Sequence, residues 1–361
     1  MKNVLTLNYG SSSLKYSLFK GLKRLDYGAI RIKGIQECKE SVSLILKKLE
    51  RIDMIAHRVV HGMEHDSPML IDRIGFELLK KLAVLDPLHN TLALAGIETC
   101  MKDLPGIPQY AIFDTSFYKE LPIISKIYAL PIDLYEKGIR RYGFHGISYS
   151  YLLKKSAKLL RKDANSVNLV MLHLGSGASI CAVQEGKPVD TSMGMTPLEG
   201  LVMSTRAGDL DPGIILHFLK EGKSLQEVER VLYEECGIKG LTGTSDMRQV
   251  IESAKEGDKK AKLALDLYIY RIKKYIGAYY AILPKLDALI FSGGVGENSP
   301  EVRELACEGL EKLGIIIDKE MNRRNQLPLC VSHKRSKVKI FVIKTDEELE
   351  MVEQLRDAIK G

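Results

Sequence analysis

The chain has 361 residues, 45% of them hydrophobic and 27% charged. That composition excludes disorder as the main state and, at roughly 150 residues per domain, leaves room for about two domains. Lys and Arg total 53 against 46 Asp and Glu, a net charge of +7 spread along the chain without a concentrated basic stripe, so anionic small molecules suit it and nucleic acid is not expected. The cysteines at 38, 100, 181, 236, 307 and 330 never approach zinc-knuckle or redox-dithiol spacing and read as reduced thiols. Few apolar residues precede Asn8, too few for a secretory signal. The longest uncharged stretch, 164–184, contains His173, Gly175, Ser176, Gly177 and Ser179, which a bilayer would penalise. The expectation is a cytosolic protein without a membrane span.

In chain order, alternation predicts a hairpin of strands at 4–7 and 14–19 around the turn Asn8–Ser13. A helix at 39–50, a strand at 54–60, helices at 74–85 and 91–102, a strand at 109–113 and a helix at 148–161 follow. The opening grammar then returns: a strand at 168–174, a Gly-Ser turn at 175–179, a strand at 180–183 and a third strand towards Val189. Helices are expected at 211–219, 224–235, 246–256, 258–283, 300–313 and 346–359, with strands at 287–292 and 338–343. This is an α/β pattern, and the repeated hairpin suggests a duplicated unit. The long helix after Asp258 is apolar enough for a core or a dimer interface.

Three Gly-Ser turns, Asn8–Ser13, His173–Ser179 and Ser292–Asn298, can present backbone N–H groups and hydroxyls to phosphate oxygens, or can be plain tight turns. None has P-loop or Gly-x-Gly-x-x-Gly spacing, so a hairpin type of nucleotide site is favoured over those two. Arg58 sits on a β-branched strand that ends at Gly62, well placed to present a bidentate fork to a carboxylate or phosphate. His57, His61 and His65 recur every four residues, but on a strand and turn this spacing favours packed histidines over a metal face. Asp114 follows an apolar strand, as a site acid or a helix N-cap. Arg140–Gly146 gathers two cations, an aromatic and His145 between glycines. The polar stretch from Asp190 leads to Arg206, with Asp209 and Asp211 reading as helix starts. Thr345 and Glu348 read as a capping box, which leaves Glu347 over as a magnesium carboxylate.

Together these residues resemble the acetate kinase family, within the superfamily of acetate and sugar kinases, heat-shock chaperone ATPases and actin. The resemblance runs from Asn8–Lys15 through His57–Gly62, Pro87–Asn90, Phe113–Thr115, Arg140–Gly146, Asp190–Arg206 and Gly293–Asn298 to Thr345–Glu348. Its specific parts are Arg141–Gly146 and Asp190–Arg206. It implies α/β architecture with two duplicated actin-like (ribonuclease H-like) domains, residues 1–114 plus 348–361 and residues 115–347, with a nucleotide cleft between them, in a cytoplasmic homodimer.

The implied reaction is ATP + acetate ⇌ ADP + acetyl phosphate, in-line, with Mg2+, for which Mn2+ can substitute. By resemblance, Arg58 and Arg206 hold the carboxylate and the moving phosphoryl group. His145 donates to that group, with Arg206 stabilising the transition state, and Asp114 positions substrate or metal. Asn8 and Glu347 would hold magnesium. Ser11, Ser13 and Lys15 resemble the first phosphate loop, and His173, Gly175, Ser176 and Gly177 the second. Asp246, Met247, Arg248, Gly294, Val295, Gly296 and Asn298 fall where adenosine is held. Val60, Leu88, Phe144 and Pro197 form the implied acyl pocket, in which a branched Val60 predicts acetate over propionate.

Several residues depart from the family pattern. Tyr9 stands for Ala, Ser176 for Asn, Met63 for Gly, Thr91 for Pro, Ile147 for Thr, Tyr149 for His and Met247 for an aromatic. Tyr9 is expected to narrow the phosphate site and Ser176 to weaken it. These departures leave two alternatives, a propionate or short-chain acyl kinase and a degenerate nucleotide-binding regulator.

Overall fold

The computed structural model describes residues 2–10, 13–83, 90–324 and 326–360. Twelve strands occur among them: β1 (Asn3–Tyr9), β2 (Ser13–Lys20), β3 (Lys23–Arg31), β4 (Met54–Val59), β5 (Met69–Leu70), β6 (Gln109–Phe113), β7 (Leu169–Leu174), β8 (Ala178–Gln184), β9 (Lys187–Thr191), β10 (Ala288–Ser292), β11 (Leu329–Cys330) and β12 (Lys339–Val342). The helices used below are α1 (Ile35–Lys48), α2 (Arg73–Leu82), α3 (Asn90–Asp103), α4 (Gly146–Leu160), α5 (Pro212–Lys220), α6 (Met247–Lys255), α7 (Lys259–Ile282), α8 (Gly293–Asn298), α9 (Pro300–Cys307) and α10 (Glu347–Lys360).

The chain divides into two compact units. One comprises Met1–Lys119, Phe144–Tyr151 and Asp346–Gly361; the other comprises Glu120–Gly143 and Leu152–Thr345. Each holds one six-stranded mixed sheet, ordered β3-β2-β1-β4-β6-β5 in the first and β9-β8-β7-β10-β12-β11 in the second. The sense of every pairing matches as well. The first three strands of each sheet are antiparallel, the next two join in parallel, and a two-residue strand closes the edge in antiparallel. The duplication suggested by the repeated hairpins is therefore present throughout both sheets, in a two-domain α/β actin-like arrangement.

In the first unit, alternation along β1 divides its side chains between two cores. Leu5 and Leu7 pack with Cys38, Val42 and Ile45 of α1 and Ile97 of α3. Val4 packs with Ile112 of β6 and with Met351, Val352 and Leu355 of α10. Both faces of the sheet are covered, which is why β1 and β4 read as nearly continuous apolar runs. In the second unit all of β10 is buried, and α7 turns Ala261, Ala264, Leu265, Tyr268, Ile269, Ile272, Ile276 and Tyr279 inward at helical spacing. Asp258 caps α7 by accepting from the amides of Lys260 and Ala261.

Some elements differ from expectation. β3 lacks a sequence signature because it is an edge strand whose apolar Leu25 and Tyr27 are exposed. The expected helix at 300–313 ends at Cys307, before Gly309 with its positive φ of 79°. The one at 224–235 is regular only over Leu225–Arg230 and continues as a π-turn. All six cysteines are free thiols. No helix among the described residues is long and apolar enough to cross a membrane.

Candidate active site

β1, β4 and β6 are adjacent and parallel, so their carboxyl ends lie together, where α/β sheets place ligands. Leu7 pairs with His57 and Arg58 with Ile112, which brings Asn8, Arg58 and Asp114 to neighbouring strand ends. Arg58 donates from Nε and Nη2 to Asp114 Oδ2 at 3.2 and 2.6 Å, and from Nη1 to Asn8 Oδ1 at 3.0 Å. Glu347 Oε2 lies 3.7 Å from the same Nη1. Asn8 Nδ2 donates to Glu347 Oε2 at 2.7 Å and to Glu348 Oε1 at 2.9 Å. Lys15, across the hairpin from Asn8, adds a positive charge near Glu348.

Burial opposes the charge on Arg58, but Asp114 and Glu347 outweigh it, so the guanidinium is held more firmly protonated than usual. The Asp114 carboxyl is raised by burial, against the pull of Arg58, and Glu347 raises it further. Glu348 is raised by burial and then by Glu347. Asp114, Glu347 and Glu348 thus gather around Arg58 and Lys15, and the carboxylate surplus suits a hard divalent cation. No cage of three or more His, Cys, Asp or Glu is gathered among the described residues. Magnesium does not require one, since it commonly takes one or two carboxylates together with water and phosphate oxygens.

The surrounding backbone is fixed by specific contacts. Asn90 Oδ1 accepts from the amides of Val60 and His61 at 3.1 and 3.2 Å, and its Nδ2 donates to the His61 carbonyl at 3.1 Å. Gly146 is required by packing: a Cβ there would lie 1.9 Å from the Asp114 carbonyl, so only glycine lets the start of α4 approach Asp114. His145, just before it, has φ 58°, a left-handed conformation that costs a non-glycine residue about 1–3 kcal/mol and is typical of functional sites. Val60 and Phe144 are buried, and the His61 ring meets the Phe144 ring edge-on at 5.4 Å. Ser11 and Leu88 lie outside the described residues.

In the second unit β7 and β10 are parallel neighbours, with Ser292 paired to His173, so the segments that follow them emerge side by side. The first is the turn closed by Gly175 N donating to Gly177 O at 3.0 Å, with Ser176 exposed and its carbonyl accepting from Ser204 N. The second, expected as a turn, is the short helix α8. Gly293 there has φ 77°, and a Cβ would sit 2.8 Å from the Leu174 backbone. Glu297 accepts from Gly293 N, Thr345 N and Ser292 Oγ at 3.0, 3.2 and 3.3 Å. It braces α8, while Gly294 faces open space and Asn298 Nδ2 bonds back to the Gly294 carbonyl. Asp246 caps α6 and pairs with the exposed Arg248 at 2.6 Å, and Met247 is buried. Arg206 is buried, its Nη1 donating to the Pro197 carbonyl at 3.1 Å.

Several sequence readings need correction. Tyr9 does not narrow a phosphate site: it is buried in the core, its hydroxyl bonded to His57 Nδ1 at 2.9 Å, in space that Gly96 leaves free. At the expected Thr345–Glu348 capping box, the Thr345 amide donates to Glu297 Oε1. Asp346 caps α10 through Leu349 N, and Glu348 turns to Asn8. Asp114 does not cap the short helix it opens: Phe113 is the cap there, and Asp114 Oδ2 is bonded to Arg58. Asp211 does start α5, whereas Asp209 receives Gly200 N and Tyr275 Oη. His57 bonds Gln109 Oε1 at 2.8 Å, His61 packs on Phe144 and His65 stacks on Phe113, so the three histidines are packed as the strand pattern favoured. Tyr149 joins an aromatic cluster with Phe117 and Tyr118. Sequence reasoning missed Asn90 and Glu297 as braces, although both stand inside motifs it singled out.

The acetokinase family model matches residues 28–353. Acetate kinase from Campylobacter jejuni is 42% identical, over 96% of this chain and 97% of its own length, and acetate kinase from Helicobacter pylori is 44% identical over 98% of each. Among solved structures, Porphyromonas gingivalis acetate kinase superposes with a TM-score of 0.87 at 34% identity, covering 99% of this chain and 100% of that one. A propionate kinase from Francisella tularensis gives 0.89 at 35%, covering 98% and 99%. The match in fold and in sequence along nearly the whole length places this chain in the acetokinase family.

Proposed function

We propose that the chain catalyses reversible, Mg2+-dependent phosphoryl transfer from ATP to acetate, giving acetyl phosphate and ADP by direct in-line displacement in the cytoplasm. The observation that carries this reading is the buried cluster of Arg58, Asp114, Asn8 and Glu347 at adjacent strand ends in a member of this family. An acetate oxygen attacks the γ-phosphorus while its bond to the β,γ-bridging oxygen breaks, and that electron pair leaves with ADP. A carboxylate needs no general base for this. The protein's task is to bring two anions together, align them and stabilise charge on the equatorial oxygens.

Arg58 suits that task because Asp114 and Asn8 already hold its fork in place, so little reorganisation is needed on binding. Arg206 is assigned as the second cation and, with His145, as the donor to the moving group. Magnesium, when bound, neutralises charge on the nucleotide phosphates, and Glu347 and Asn8 are the residues that would hold it. Lys15, Ser11, Ser13 and His173–Gly177 are assigned to phosphate. Asp246–Arg248 and Gly294–Asn298 are assigned to adenosine, Met247 through packing behind the site, since it is buried. A homodimer is proposed on α5, none of whose residues is buried and which exposes Ile214, Leu216 and Leu219.

A second reading, propionate as main substrate, is favoured by the likeness to the propionate kinase structure. Val60, buried and held through its amide by Asn90, argues for acetate. One extra methylene is worth only about 1–3 kcal/mol, so propionate is expected to remain a measurable but poorer substrate. A hydroxamate assay of acyl phosphate formed from ATP, Mg2+ and acetate, propionate or butyrate tests both readings. Product from none of the three acids would leave a nucleotide-binding regulator instead. Val60→Ala is expected to raise the propionate-to-acetate ratio of kcat/KM about tenfold; an unchanged ratio removes Val60 from the acyl pocket.

A further inference from the structure

The two most specific sequence motifs, around Arg141 and from Asp190 to Arg206, are bound to each other in the second unit. Arg141 Nε donates to the Ser125 carbonyl at 3.2 Å, and Nη1 donates to the carbonyls of Thr191 and Met193, both at 3.1 Å. Its Nη2 donates to Glu199 Oε1 at 2.6 Å. The other oxygen of Glu199 accepts from Tyr128 Oη at 2.6 Å, and that hydroxyl accepts from Met195 N at 2.9 Å. The Arg141 guanidinium also lies 5.5 Å from the Tyr128 ring centre. Backbone bonds complete the join, with Tyr142 N and Gly143 N both donating to the Gly194 carbonyl at 3.0 and 3.3 Å. A Cβ on Gly194 would fall 1.9 Å from Glu199 Oε2 and 2.1 Å from Tyr128 Oη, so the cluster closes only over glycine.

Arg141 is held on all sides by protein oxygens. Its side chain is only 16% exposed, and Nε and both terminal nitrogens are already engaged with protein oxygens. The loop it clasps is the one that carries Arg206. Glu199 lies two residues beyond Pro197, whose carbonyl accepts from Arg206 Nη1 at 3.1 Å, and Met203 N donates to the Arg206 carbonyl at 3.0 Å.

We propose that Arg141, Glu199 and Tyr128 form a positioning clamp that sets the path of residues 191–199, and through the Pro197 carbonyl the direction of the Arg206 guanidinium. The planar fork of arginine is required, because a lysine could satisfy only part of a set of acceptors spread over Ser125, Thr191, Met193 and Glu199. This inference rests on the catalytic assignment of Arg206, and its test separates the two.

Arg141→Lys and Glu199→Gln are mild enough to keep the fold. Each is expected to lower kcat about 10–100-fold with the KM for ATP within about twofold of the parent. On an Arg206→Ala background each is expected to cost less than about threefold more, because residues acting through one group are not additive. Amide exchange followed by mass spectrometry is expected to speed up in peptides covering 191–206 and to stay unchanged across β10 and α7. Additive losses with Arg206→Ala, or unchanged exchange over 191–206, would overturn the clamp. If Arg206→Ala itself turns over like the parent, the catalytic assignment of Arg206 fails, and the exchange result alone decides whether the clamp exists.

Discussion

Arg58→Ala is expected to lower kcat by about 10³-fold or more and to destabilise the first unit by about 3–5 kcal/mol. Both effects come from the same geometry. The guanidinium is 11% exposed and its carboxylate partner Asp114 is fully buried, so removing the cation leaves Asp114 beside Glu347 without its charge partner, while Lys15 stays near Glu348. An uncompensated buried charge costs far more than the intact pair contributes. The paired change Arg58→Met with Asp114→Leu removes both charges together and is expected to recover much of the stability while remaining inactive. Urea unfolding and the hydroxamate assay, run on the single and double variants, read the two effects separately. An Arg58→Ala protein that unfolds at the parental urea concentration would mean that the buried pair is not built as described.

The protein is also expected to lose stability on mild acidification through one residue, His57. Burial pushes its pKa down to about 3, only partly opposed by the hydrogen bond to Gln109. Because Gln109 Oε1 can only accept, the neutral ring carries its proton on Nε2 and Nδ1 accepts from Tyr9 Oη. In the unfolded chain the same imidazole titrates near 6.5. With the folded pKa depressed, the unfolded state binds more protons below that value, so this contribution is fully present above pH 6.5. It is lost as pH falls towards about 3.

Between pH 6 and pH 4 the loss from this residue is roughly 2–3 kcal/mol. His57→Gln, which cannot titrate and can still bond Tyr9, is expected to be less stable than the parent at pH 7 but to show a shallower decline between pH 6 and pH 4. Equal slopes in denaturant titrations of the two proteins would remove His57 as the source.

His57 and Arg58 also show why a sequence reveals only part of a site. The β-branched run and terminal glycine mark a strand that presents Arg58, and they do so locally, through alternation alone. That alternate residues face opposite ways also follows from strand geometry. That Arg58 meets Asp114 and Glu347, 56 and 289 positions away, depends on strand order and on where α10 returns, which no local pattern encodes. Tyr9 was misjudged for the same reason. It borders the first turn in sequence, but its ring points to the opposite face of the sheet from Asn8 and is accepted only because α3 supplies Gly96 there.

The start of α10 shows a related effect. Thr345 and Glu348 have capping-box spacing, yet Asn8 holds the Glu348 carboxylate, and Asp346, itself paired with Arg24, accepts from Leu349 N at the start of α10. Short-range propensity yields here to a long-range charge requirement. β3 escaped notice because an edge strand with exposed Leu25 and Tyr27 lacks the inside-outside pattern by which strands are recognised.

By itself the sequence determined the α/β class, the duplicated hairpin that begins each unit and the reduced state of the cysteines. These are properties of periodicity, turn chemistry and residue type, all carried within short windows. The tertiary structure alone decided which charges neutralise one another and which apparent site residues are core. It also decided that Arg141 bonds the carbonyls of Thr191 and Met193 and the carboxylate of Glu199. Such outcomes depend on burial and on the meeting of distant segments, and the energy of a charge is set by what surrounds it in space.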